Sequence, residues 1–260
     1  MDLGIKGRNA LVLGAGGGLG SAICVALAKE GCAVALADRD ASALQKAAAT
    51  LPGGTKNMSI EWDLSNIDAI GGHLKKVESK IGGIDILVNI TGGPKPTPVS
   101  GVTTADWRAN FDMMILSCIA ITDQVLEGMK KRNWGRIVTS TSSGVIAPIP
   151  NLGQSNALRM ALLGWSKTLA REVAANGITS NIIVPGRIST DRIRFLDEAK
   201  AKREGRPMED VTHESTSSIP VGRYGTPEEY ADVVTFLASK SASYITGSVI
   251  RVDGGLVASI

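Results

Sequence analysis

Histidine and cysteine are scarce in this 260-residue chain, and the few present are poorly placed for chemistry of their own. His73 and His213 lie far apart, and neither neighbours another ligand at metal-site spacing, so no zinc site is expected. Cys24, Cys32 and Cys118 form no C-x-x-C pair. An odd count without a secretion signal argues against a disulfide framework and for buried, reduced thiols. Met1-Asp2-Leu3-Gly4-Ile5-Lys6 contains no signal-peptide core, and no later apolar run approaches the length that crosses a bilayer; a cytoplasmic protein is expected. An excess of one charge is missing too. The formal net charge is +3 with both signs spread along the chain, which suggests neither a nucleic-acid surface nor a membrane-binding face.

Glycine is abundant, and one cluster is informative. Ala10-Leu11-Val12-Leu13 is an apolar run that breaks into Gly14-Ala15-Gly16-Gly17-Gly18-Leu19-Gly20 and then into a helical pattern. A strand that turns into a helix through glycines presents bare backbone N–H groups to a phosphate at the helix N-terminus. The Walker arrangement is excluded because no Gly-Lys-Ser/Thr follows, and G-x-G-x-x-G fails from either Gly14 or Gly16. The spacing that fits is G-x-x-x-G-x-G on Gly14, Gly18 and Gly20, with Leu19 between the last two. The next apolar run, Ala33 to Asp38, ends in a carboxylate about twenty residues after the glycines, where ribose hydroxyls are held. Asp38 argues for NAD, because a 2′-phosphate there would meet like charge. Arg39 beside it leaves NADP as the less favoured alternative.

The texture then repeats. Helical patterns over Ala41 to Leu51, Ile67 to Ile81, Thr104 to Arg132 and Asn151 to Asn176 alternate with apolar strands at Met58 to Trp62, Ile84 to Asn89, Gly135 to Ser140 and Ile178 to Val184, with a last strand near Val249 to Val252. Such alternation calls for right-handed βαβ units, hence an α/β chain with a single doubly wound parallel sheet of Rossmann type and helices on both faces. A length of 260 residues suits one domain, residues 1–260. Leu158, Leu162, Trp165, Leu169 and Val173 form a core-facing helical stripe, while Ala157, Ala161 and Gly164 leave a smooth second face. Periodicity weakens over residues 187–219, where charges of both signs crowd together; a mobile substrate lid is expected there.

The glycine loop, Asp38, Asp63-Leu64, Asn89-Ile90-Thr91-Gly92, Pro185-Gly186, Tyr244-Ile245-Thr246-Gly247 and Val252-Asp253-Gly254-Gly255 together resemble the short-chain dehydrogenase/reductase family across essentially the whole chain, in particular its 3-oxoacyl-carrier-protein reductase-like members. The resemblance implies that Asp63 and Leu64 contact adenine and that Asn89 and Gly92 support the central strand and line the cofactor. It further implies that Pro185 to Thr190, including Gly186, Ile188 and Thr190, touch the nicotinamide carboxamide. A homotetramer is implied as well, since the long helices pair across subunits in that family.

The family's chemistry rests on an asparagine, a serine and a Y-x-x-x-K pair, and here the pattern breaks. Ser142 matches the serine, but Ser155 stands thirteen residues on, where the tyrosine belongs, and Arg159 takes the lysine position. Tyr224, Tyr230 and Tyr244, the only tyrosines, lie elsewhere in the sequence; Met114 replaces the asparagine, with Asn110 one turn earlier. A serine hydroxyl is a far weaker acid than a tyrosine and is shorter by a ring, and a guanidinium cannot relay protons as lysine does. Two functions follow. One is an NAD(P)-dependent oxidoreductase acting on a carbonyl or alcohol through a remodelled site of Ser142, Ser155 and Arg159. The other is a dinucleotide-binding sensor or partner subunit without that activity. Lys95, Arg187, Arg192 and Arg194 could meet an anionic substrate, although exposed loop charge more often serves solvation.

Overall fold

The computed structural model describes residues 2–260. Seven parallel strands are ordered β3-β2-β1-β4-β5-β6-β7: β1 Asn9–Leu13, β2 Ala33–Asp38, β3 Met58–Glu61, β4 Ile86–Asn89, β5 Gly135–Ser140, β6 Ile178–Pro185 and β7 Val249–Val252. The expected doubly wound sheet is therefore present, and its strand order reverses between β1 and β4, the place where such folds open a crevice. The apolar runs are continuous because both faces are covered. In β1, Ala10 and Val12 join the cluster with Ile23, Leu27, Tyr230 and Val234, whereas Leu11 and Leu13 join Trp62, Leu74, Ile121 and Val125 on the other side.

One layer contains α1 Gly18–Lys29, α2 Ala41–Ala49 and α9 Pro227–Leu237; the other contains α3 Ile70–Ile81, α4 Thr104–Phe111, α5 Ser117–Arg132 and α6 Gly153–Val173. Side-chain caps mark several starts: Asp40 on α2, Thr103 on α4, and Thr226 with Glu229 as a reciprocal capping box on α9. All three cysteines are buried and unpaired, and burial pushes the Cys32 and Cys118 thiols up to about 12.

One expectation needs correction. Helix Thr104–Arg132 is continuous over 29 residues and is long and apolar enough, by length and composition, to cross a membrane, contrary to the reading that no segment reaches that length. Its charges cluster toward the ends and its apolar middle is packed inside the molecule: Met114, Ile115, Cys118, Ile121, Val125 and Met129 are buried. A π-helical turn at Asp112–Leu116 joins α4 to α5. Residues 187–219, where the sequence periodicity weakens, contain two helices, α7 Asp191–Glu204 and α8 Met208–Ser217. Their periodicity is weak because they bury little: only Asp197 and Ala201 on α7, and Val211 and Ser215 on α8.

Candidate active site

At the carboxyl edge of the sheet, a cleft of about 1570 Å³ runs from the glycine loop to the N-terminus of α6. Gly14, Gly18, Leu19, Gly20, Asp38, Arg39, Asp63, Leu64, Gly92, Pro185, Gly186, Ile188 and Thr190 all line it, and so do Ser142, Ser155 and Arg159. Residues spread over most of the chain thus converge because every contributing loop follows a parallel strand.

The loop is shaped for close approach. Gly14 adopts φ +67°, and a Cβ at Gly20 would fall 2.2 Å from the Gly14 carbonyl oxygen. Helix α1 has no side-chain cap and no acid in its first turn, so its N-terminal N–H groups open onto the cleft without a competing acceptor. A pyrophosphate fits this cradle. Asp38 braces it: one carboxylate oxygen accepts from the Gly16 N–H at 3.0 Å and the other from the Asp40 N–H at 3.1 Å. Asp63 accepts from the Ser65 N–H and hydroxyl, which hold its carboxyl below the usual range. Asn89 supports the central strand as expected but does not reach the cleft. Its side chain is fully buried and its Nδ2 donates to Thr139 Oγ1 at 3.1 Å, tying β4 to β5.

At the other end, the Arg159 guanidinium lies across the ends of β4 and β5. Nε donates to Ser155 Oγ at 3.3 Å, Nη1 to the Ser140 carbonyl at 3.3 Å, and Nη2 to the Thr91 and Gly92 carbonyls at 3.3 and 3.0 Å. Burial pulls its pKa down to about 10, so it remains a cation at neutral pH. Ser142 Oγ accepts from the Gly144 N–H at 3.1 Å, leaving its hydroxyl hydrogen free to donate. Met114 is fully buried in the π turn, while Met113 and Asn110 reach the cleft wall. A tyrosine does come close in space: the Tyr230 hydroxyl lies 2.7 Å from Ser140 Oγ. It is fully buried, does not line the cleft, and has its pKa raised by burial, so it braces the floor rather than facing a ligand.

Sequence spacing gives no hint of the anchor of the 187–219 segment. Asp197, 2% exposed, accepts from Arg187 Nη1 at 2.9 Å and from the Tyr224 hydroxyl at 2.6 Å, and Lys200 on α7 reaches Glu214 on α8 at 2.7 Å. Thr190 caps α7 directly opposite Gly18, where a Cβ would fall 2.9 Å from Thr190 Cγ2.

A phosphate cradle and a strand-end acid at the switch point of a parallel sheet define a nucleotide-binding α/β protein of Rossmann type. Residues 14–257 match the family described as enoyl-(acyl carrier protein) reductase. Over 258 residues the chain is 37% identical to nodulation protein G of Azospirillum brasilense, covering 96% of this chain and 98% of that one. It is 33% identical to the 3-oxoacyl-[acyl-carrier-protein] reductase FabG of Vibrio cholerae, covering 98% and 99% respectively. L-sorbose reductase from Gluconobacter frateurii, solved with NADPH and L-sorbose, superimposes with a TM-score of 0.93 at 29% identity, each chain fully covered. The chain belongs to the short-chain dehydrogenase/reductase family.

Proposed function

We propose that this protein is a nicotinamide-dinucleotide-dependent oxidoreductase that interconverts a carbonyl and a hydroxyl group. The observation that carries the reading is one cleft joining the glycine cradle and Asp38 to Ser142, Ser155 and Arg159. The nicotinamide supplies or accepts the hydride when bound. The chain's own residues position and polarise: the free hydroxyl hydrogen of Ser142 can donate to the substrate oxygen, and the cation at Arg159 favours negative charge developing there. Ser155 Oγ accepts from Arg159 Nε and so orients the guanidinium; its hydroxyl hydrogen stays free, but a serine hydroxyl is too weak an acid to replace a tyrosine. Water or a residue of the 187–219 segment completes the proton transfer. Substrate-free NADH fluorescence titration together with a carbonyl and alcohol turnover screen tests the reading. Tight dinucleotide binding with no turnover on any substrate class would favour a sensor or partner subunit, the reading supported by Ser155 and Arg159 in place of tyrosine and lysine.

Asp38 supports NAD over NADP in this proposal, since a 2′-phosphate would be brought against its carboxylate. The related L-sorbose reductase was solved with NADPH, and Arg39 at the cleft is the residue that would accommodate the extra phosphate. Calorimetry is expected to give tighter binding of NADH than NADPH, and Asp38→Ala is expected to erase most of that difference, about tenfold. Equal or tighter binding of NADPH by the unmodified protein would hand the decisive role to Arg39.

Residues 187–219 would serve as a lid hinged at the Asp197 anchor. Asp197→Ala strands Arg187 and Tyr224 together and is expected to cost about 2–3 kcal/mol, a fall in Tm of roughly 5–10 °C, and to raise KM more than it lowers kcat. An unchanged Tm and KM would show that the anchor is dispensable. A homotetramer is proposed on the exposed small face of α6, Ala157, Ala161 and Gly164, flanked by exposed Met160. Light scattering at working concentration checks it, and a monomeric mass would overturn it.

A further inference from the structure

The cations of the cleft are not equivalent. Arg187 is neutralised by Asp197 at 2.9 Å, but neither Arg159 nor Arg192 has a carboxylate within 4.0 Å among the described residues. The other acids that line the cleft are committed elsewhere or distant in function: Asp191 pairs with Arg194, Asp106 accepts from Thr103, and Asp38 and Asp63 brace backbone at the glycine-loop end. Two guanidinium groups of like charge nevertheless converge on Gly93. A Cβ built there would lie 3.5 Å from Arg192 Nη2 and 3.6 Å from Arg159 Nη2; burial depresses Arg159 most, and the charge of Arg192 adds to it in smaller part.

Arg159 is buried and Arg192 beside it is exposed, so the cost of an uncompensated cation falls on Arg159, and its carbonyl hydrogen bonds do not return it in full. The molecule contains its own control. Arg136 is also buried without an acid and donates to the Ser239, Gly135 and Gly177 carbonyls, but it does not line the cleft and stacks over Trp134; such a guanidinium is a structural plug. Arg136 also has a neighbouring guanidinium, Arg8 over the same Trp134 ring, so Arg159 differs in that it faces the cleft and its neighbour Arg192 has no carboxylate within 4.0 Å among the described residues, whereas Arg8 pairs with Asp85. Among the described residues Arg192 has one protein acceptor, the Pro94 carbonyl at 3.1 Å, so most of its five N–H donors remain free in a planar fork suited to an oxyanion. Exposed Lys95 lines the same wall. Gly93 leaves the approach to both cations open, since nothing but these guanidinium groups lies within 4 Å of its absent Cβ.

We propose that the substrate of this site carries an oxyanionic group, which binds beside Gly93 to the free donors of Arg192 and in the field of Arg159. This deepens the oxidoreductase reading and rests on it only for the word substrate; the anion site itself is open to direct measurement. Three ligands share one ketone and differ at the other end: acetoacetate, its methyl ester and 2-oxopropylphosphonate. Calorimetric titration onto the whole protein without dinucleotide is expected to show acetoacetate or the phosphonate bound at least about tenfold more tightly than the ester. The tighter of the two charged ligands identifies the source as a carboxylate or a phosphorus oxyacid. Arg192→Gln is expected to shrink the preference to within about twofold, and Arg192→Lys to restore part of it, with Tm checked for each variant. Equal binding of the ester, no detectable binding of either anion, or a preference untouched by Arg192→Gln would overturn the proposal. Anion preference with no turnover in the carbonyl and alcohol screen would leave the anion site standing and count against the oxidoreductase reading alone.

Discussion

Replacing Gly20 by alanine is expected to weaken dinucleotide binding by about 10- to 100-fold, read by NADH fluorescence titration. The new Cβ would lie 2.2 Å from the Gly14 carbonyl oxygen and 2.7 Å from Ala15 Cα, both backbone atoms that no rotamer change can move aside. The first turn of α1 must therefore shift away from β1, and its N–H groups leave the positions that a pyrophosphate requires. Overpacking of this kind costs about 1–3 kcal/mol, which falls here on the part of the molecule that builds the cradle. Gly72→Ala on α3 is the matched control, because nothing lies within 4 Å of its added Cβ; it is expected to leave affinity unchanged and to raise helix stability by about 0.5–1 kcal/mol. Wild-type affinity in the Gly20→Ala protein would mean that the dinucleotide is not held at this turn.

The difference between Gly20 and Gly72 also marks what could be read from sequence. The G-x-x-x-G-x-G spacing and the carboxylate ending the second apolar run are local signals, and the fold sets these residues along one cleft because parallel strands deliver their carboxyl ends to one edge. The strand runs were legible for the same reason: β1 and β2 are buried on both faces, so they read as unbroken apolar stretches. Helices α7 and α8 were hidden because they bury almost nothing, and an amphipathic signal needs a buried stripe. Asn89 illustrates a second limit: its identity and strand-end position suit a cofactor contact, but only the register with Thr139 shows its amide turned into the sheet. Contacts between distant segments had no signature at all. Tyr230 beneath Ser140, Asp197 between Arg187 and Tyr224, and Arg192 beside Arg159 across Gly93 each join side chains that only the folded topology brings together.

The double substitution Ser155→Tyr with Arg159→Lys is expected to raise turnover on small neutral ketones by about 10²-fold and to lower turnover on anionic substrates. A tyrosine hydroxyl is a far better proton donor than that of Ser155, and a neighbouring ammonium lowers its pKa further toward the working range. Arg159 now serves four acceptors, namely Ser155 Oγ and the carbonyls of Ser140, Thr91 and Gly92. Removing the serine leaves three carbonyls, and a lysine ammonium keeps a positive charge and three donors on this floor. What the change removes is the second guanidinium beside Arg192, and with it part of the field that would hold an oxyanion near Gly93. Dinucleotide affinity is expected to stay within about threefold, since the glycine cradle and Asp38 are untouched. Steady-state kinetics on a neutral ketone and on acetoacetate, with NADH titration as the binding control, read all three quantities. Turnover and affinity both unchanged on every substrate would show that Ser155 and Arg159 take no part in the reaction. The sensor or partner-subunit reading would then lead.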